Sequence, residues 1–156
     1  YPAFTMGGTR FVLLDCGEDK PDGTEVYYGM NDFTQYRKDQ AQFLQTELAG
    51  PEFTAAARKV LIHHIPIYGN AVAKFNPCKE LWQPHLAAAG FDVSLNGHLH
   101  RYELIEKGAS ENNFPVVIGG GYKEENATVM ILKKTGERLN LRVVHAKGNT
   151  LLDRDL

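Results

Sequence analysis

The chain has 156 residues, 43% of them hydrophobic and 23% charged, and its 17 Lys+Arg against 19 Asp+Glu give a formal charge of −2. That is the make-up of one globular unit rather than a disordered or fibrous chain, with no block of like charge to draw nucleic acid or anionic lipid. The longest apolar runs, such as Phe11 to Leu14 and Val60 to Ile62, fall far short of the roughly 18 residues a membrane-spanning helix needs.

The sequence opens on Tyr1-Pro2-Ala3-Phe4 without an initiator Met or a recognisable leader, so it reads as a chain cut at its start, and its compartment stays unspecified. Phe11-Val12-Leu13-Leu14-Asp15 is a short apolar run ending in Asp-Cys-Gly, the pattern of a buried strand delivering its C-terminal end to a loop. Residues 16 to 31 form that loop, and its length marks it as functional or mobile. Phe33, Tyr36, Gln40-Ala41, Leu44 and Leu48 then recur at helical spacing, with Asn31 or Asp32 as N-cap and Gly50-Pro51 as the stop. A short Ala-rich helical piece, Glu52 to Arg58, precedes a second buried strand, Lys59 to His63.

Asn76-Pro77 starts the next helix, which Pro84 is expected to break and restart toward Ala89-Gly90. Phe91 to Leu95 is a third strand, and strand–helix–strand over this length predicts a right-handed parallel crossover. Beyond residue 101, strand-like runs at 102–106, 115–118, 127–133, 139–145 and 151–153 alternate with turn signals, predicting a mostly antiparallel C-terminal third. Without repeats, low-complexity segments or a linker, residues 1–156 read as a single α/β unit. Cys16 and Cys78 are too far apart for a C-x-x-C site and read as small buried side chains.

Two of the predicted strands end in histidines: His63-His64-Ile65-Pro66 after the second, Gly97-His98-Leu99-His100 after the third. If the strands are parallel neighbours, both groups emerge on one edge of the sheet, where open α/β sheets bind their ligands. In extended backbone His98 and His100 would share a face, near enough to ligate one ion or two adjacent ones. The bland reading makes His63 and His64 core histidines and puts His98 and His100 in a turn.

Val60 to Tyr68 and Asn96 to Glu103 resemble the last two signature blocks of the calcineurin-like metallophosphoesterases, purple acid phosphatase branch: a histidine two before a proline, and Gly-His-x-His followed by x-Tyr-Glu. The Leu-Asp strand, the helix holding Gln40 to Leu48, the Ile118-Gly119-Gly120-Gly121 turn and the late hairpin ending at Lys147-Gly148-Asn149 are similar too. The resemblance implies the C-terminal part of a four-layer sandwich, mixed β-sheets flanked by helices. It also implies hydrolysis of a phosphate ester at a dinuclear centre of divalent or trivalent ions (Fe, Zn or Mn), spaced by ~3.5 Å. His64 and His98 would bind one ion and His100 the second. His63, unmatched by a family ligand, would be a neighbouring group, and His63, Tyr68 and Tyr102 are candidates for the substrate pocket.

The family's Asp-x-His, Gly-Asp and Asn-His blocks have no counterpart in this sequence, so it supplies imidazoles without the bridging carboxylate. The expectation is therefore a C-terminal half, inactive alone and binding metal weakly if at all, whose missing blocks lie before residue 1 and whose uncovered strand edge favours self-association. A second reading is a non-catalytic module of the same fold, or a mononuclear site of His64, His98 and His100. Gly119-Gly120-Gly121 lacks the Lys-Ser/Thr of a phosphate-binding loop, His85 and His145 read as ordinary surface or core residues, and Trp82 as a core anchor. Asn126-Ala127-Thr128 is formally a glycosylation sequon.

Overall fold

A computed structural model describes residues 1–69 and 74–156. Two sheets carry the fold. The larger has the order β1-β2-β3-β4-β6-β5, from β1 (Ala3–Met6), β2 (Thr9–Leu14), β3 (Arg58–His63), β4 (Val93–Asn96), β5 (Glu103–Ile105) and β6 (Val116–Ile118). Its four central strands run parallel, and β1 and β5 add antiparallel edges. The smaller sheet is an antiparallel meander of β7 (Thr128–Thr135), β8 (Arg138–His145) and β9 (Thr150–Asp155). Helices α1 (Thr34–Ala49), α2 (Pro51–Ala55) and α3 (Pro77–Leu86) belong with the larger sheet.

Side-chain alternation along the strands builds two cores, one on each face of the larger sheet. Val12, Leu14, Leu61, Val116 and Ile118 point to the helices, where they meet Leu44, Phe53, Trp82 and Leu86. Phe11, Val60, Val93, Leu95 and Val117 point the other way and pack on Leu139, Leu141 and Val143 of β8. Each such fully buried aliphatic or aromatic side chain contributes about 1.5–3 kcal/mol relative to exposure. The result is a mixed α/β sandwich of one helical layer and two sheets, the fold class the sequence predicts.

Several local readings change. β1 is an addition: Gly7 and Gly8, at φ 57° and 74°, form a two-residue turn that folds Ala3–Met6 back onto β2. The N-cap position of α1 is Phe33, not Asn31 or Asp32, because Asp22 reaches across the loop and accepts the backbone N–H groups of Phe33 and Thr34 at 3.0 Å each. The Ala-rich piece stops at Ala55, and Arg58 already belongs to β3.

Pro84 does not break α3. It sits in the last turn, where one missing N–H is tolerated because Cys78, Trp82 and Leu86, four apart, all bury on the same face. The start of α3 is as expected, with Asn76 Oδ1 accepting from Lys79 N–H at 3.3 Å. Finally, β6 pairs parallel with β4 inside the larger sheet, so only β7–β9 and the β5–β6 pair are antiparallel in the C-terminal third.

Candidate functional site

The parallel pairing of β3 with β4 brings the two histidine motifs to one sheet edge. Gly97 N–H donates to the His64 carbonyl at 2.9 Å, clipping the loops together just past the strands. A side chain at residue 97 would put its Cβ 3.0 Å from His64 Nδ1, so glycine there leaves room for the ring. The imidazoles of His64 and His98 then stand edge to face, with centroids 5.4 Å apart.

The segment 97–101 is not extended, so the expectation that His98 and His100 share a face does not hold. Leu99 N–H donates to the Gly97 carbonyl at 2.8 Å across a tight three-residue turn, and His98 and His100 sit at φ 70° and 54°. These are left-handed conformations, uncommon outside glycine. As a consequence the two rings diverge. His98 packs on His64, while His100 lies edge to face with Tyr122 at 5.5 Å, beside a recess of about 250 Å³ that also involves Gly121, Lys123, Glu125 and Asn126.

The glycine run after β6 holds His100 in place. Gly119 N–H donates to the Asn96 carbonyl at 2.8 Å and Gly120 N–H to Thr128 Oγ1 at 2.8 Å. A Cβ on Gly120 would lie 1.6 Å from the Asn126 carbonyl oxygen, and one on Gly121 2.8 Å from His100 Cβ. Asn126 Nδ2 donates to the His100 carbonyl at 2.7 Å. The sequon amide is thus committed to the loop that carries His100.

A third strand end also contributes. After β2, Gln40 of α1 imitates a neighbouring strand, accepting from Asp15 N–H and donating to its carbonyl, both at 2.7 Å. Arg37 Nε and Nη2 donate to the Cys16 and Glu18 carbonyls at 2.9 and 3.1 Å. This ordered loop delivers Asp19, whose Oδ2 lies 3.4 Å from His98 Nε2. The histidine motifs do not reveal Asp19; the available signal was a long loop on the strand next to theirs.

The electrostatics favour a neutral His64 imidazole. Burial holds the His64 ring below its usual pKa, and the nearby His98 and His100 add to the effect. Neutral imidazole nitrogens are ligands for borderline divalent ions. Yet among the described residues no three His, Cys, Asp or Glu side chains converge closely enough to enclose an ion, and His100 is turned toward Tyr122.

Of the pocket candidates, His63 and Tyr68 are each 2% exposed and belong to the interior. Tyr68 packs edge to face on Phe114, and burial pushes its phenol up to about 12. Tyr102 is half-buried against the β7–β9 side of the sheet. Cys16 and Cys78 are free thiols in the helix-side core, with Cys16 Sγ 3.4 Å from the Ile65 carbonyl.

No family model matches the sequence. The chain is 26% identical over 137 residues to purple acid phosphatase 15 of Arabidopsis thaliana, a match covering 83% of this chain and 23% of that protein. It superposes on GAP50, the anchor in the inner membrane complex of Plasmodium, with a TM-score of 0.56 at 16% identity, over 99% of this chain and 52% of that one. These two chains share a fold. A predicted phosphoesterase from Streptococcus pneumoniae superposes only loosely, with a TM-score of 0.36 at 6% identity over 94% of this chain and 95% of that one. The chain therefore spans about a quarter of the curated relative's length and about half of GAP50.

Proposed function

We infer that this chain is the histidine-bearing part of a calcineurin-like metallophosphoesterase of the purple acid phosphatase branch, and that the whole protein hydrolyses phosphate esters. The observation that carries the reading is the meeting of His64 and His98, ring to ring, beyond the C-terminal ends of two adjacent parallel strands. The distant similarity to purple acid phosphatase 15 supports the same reaction class.

In this reading His64 and His98 give imidazole nitrogens to one ion and His100 to a second, within a centre completed by carboxylates from outside the histidine cluster. The chain's own residues do definable work toward it. Burial keeps His64 neutral and able to donate its lone pair, and Gly97 gives its ring space. Asn126 and the Gly119–Gly121 turn fix the loop that presents His100.

The test is hydrolysis of p-nitrophenyl phosphate by the full-length protein. Chelation should abolish turnover, two equivalents of metal per chain should restore it, and His98→Ala should lower kcat/KM by about 100-fold or more. Turnover that survives both chelation and His98→Ala would refute the reading. A stoichiometry of one ion would point to the mononuclear tri-histidine module instead.

A further inference from the structure

The helix-facing core of the larger sheet is mostly apolar, and besides the Arg10–Glu47 pair and the Arg37 and Gln40 side chains of α1 it holds a polar group at the C-terminal ends of β3 and β4. His63 at the end of β3, and Ser94 and Asn96 on β4, point into it and are 2%, 0% and 6% exposed, beside the fully buried Trp82. Three polar side chains in an apolar core are tolerated only when they satisfy one another. Their contacts determine where the protons sit.

Ser94 Oγ donates to Asn96 Oδ1 at 2.9 Å, so the hydroxyl has its lone pairs left for His63 Nε2, 3.3 Å away. Asn96 Nδ2 has two protons and two acceptors, the His63 carbonyl at 2.7 Å and His63 Nδ1 at 3.0 Å. One tautomer fits all four contacts: Nε2 carries the proton and donates to Ser94, and Nδ1 is bare and accepts from Asn96. The same tautomer sets the bare Nδ1 against the Ile65 carbonyl at 2.8 Å, lone pair to lone pair, an unfavourable contact that the four others outweigh, while that carbonyl accepts from the Cys16 thiol. The opposite tautomer would satisfy Ile65 but set two N–H groups against each other at Asn96 and leave Asn96 Oδ1 competing for the Ser94 proton.

This closed ring lies immediately before each histidine of the site. His63 precedes His64, Asn96 precedes Gly97-His98, and the Asn96 carbonyl accepts from Gly119 N–H, at the start of the turn that packs on His100. We propose that His63, Ser94 and Asn96 form a positioning ring, with the His63 imidazole protonated on Nε2 alone, that fixes where the His64 and His98 side chains leave the sheet. His63 is a positioning residue here and touches no substrate. The proposal rests on the phosphoesterase reading only for the importance of those two imidazoles, since the ring itself is a property of the core.

The experiment is long-range ¹H–¹⁵N correlation on the full-length protein with ¹⁵N-labelled histidine, recorded without metal or substrate. His63 should show a protonated Nε2 and a bare Nδ1; a protonated Nδ1 would overturn the proposal. Ser94→Ala removes the acceptor of Nε2–H and should drive His63 to the other tautomer, shifting the ring signals of His64 and His98 and weakening the contact between their rings. His85 and His145 lie away from the ring and should not move. Unchanged His64 and His98 signals, or equal shifts in every histidine, would reduce the ring to ordinary core packing and overturn the proposal. Should Ser94→Ala fail to fold, Ser94→Cys keeps the size while weakening the hydrogen bonds, and is read the same way. Failure of p-nitrophenyl phosphate turnover would sink the phosphoesterase reading and leave these signals intact, so the two outcomes separate.

Discussion

At the scale of single residues, His63 shows how position on a strand decides what a histidine can do. Its alternation on β3 turns it to the helix-side core, and burial there lowers its pKa to about 4 from an ordinary 6.5. The unfolded chain therefore binds a proton that the folded chain refuses between those values. Stability associated with neutral His63 is fully present above about pH 6.5 and is lost as the pH falls toward 4, by up to about 3 kcal/mol. Urea unfolding at stepwise lower pH should show this loss, and His63→Gln should flatten it; a wild-type profile flat across that window would refute the assignment. The adjacent His64 and His63 look alike in the sequence, and only the period-two alternation separates the buried one from the one at the site. Asp19 was illegible for a different reason: it reaches His98 through a loop whose path is set by Arg37 and Gln40, not by any local pattern.

At the scale of elements, α1 reads in the sequence as an amphipathic helix, yet its buried residues are Arg37, Gln40 and Leu44. Periodicity located the helix correctly but said nothing of the polar side chains that bind the loop after β2. The same holds for β6, where a short apolar run gave the strand but not its parallel partner β4. Gly7-Gly8 carried a readable hairpin signal for β1. Helix–sheet docking depends on one ion pair in particular. Arg10 of β2 meets Glu47 of α1 through two contacts, 2.7 and 2.8 Å, at 7% and 12% side-chain exposure, and reaches Glu52 of α2 at 2.7 Å. Removing one partner strands a buried charge, so Glu47→Ala should destabilise the fold by about 2–3 kcal/mol, checked by denaturant midpoint. Glu52→Ala, at an exposed carboxylate, should change it by under about 1 kcal/mol. Equal effects would show that the interface is held by packing alone.

At the scale of the whole molecule, β1 closes one side of the larger sheet and, among the described residues, pairs with β2 alone. Phe4 and Met6 on this edge strand are 41% and 65% exposed. An open strand with apolar side chains is a template for another strand. Sedimentation of the 156-residue chain should show mass rising with concentration, and Met6→Lys should suppress the rise; a single monomeric species throughout would rule this out. The sandwich architecture was legible because both cores follow from alternation along a few apolar strands. The divergence of His98 and His100 was not, since a two-residue spacing implies a shared face only if the backbone stays extended. That backbone also affects the cost of the motif. At φ 70° and 54°, glycine would rest roughly 1 kcal/mol lower than any residue with a β-carbon. His98 and His100 are thus a load on the scaffold, which would be sturdier without them, and folding alone offers no reason for either imidazole to be there.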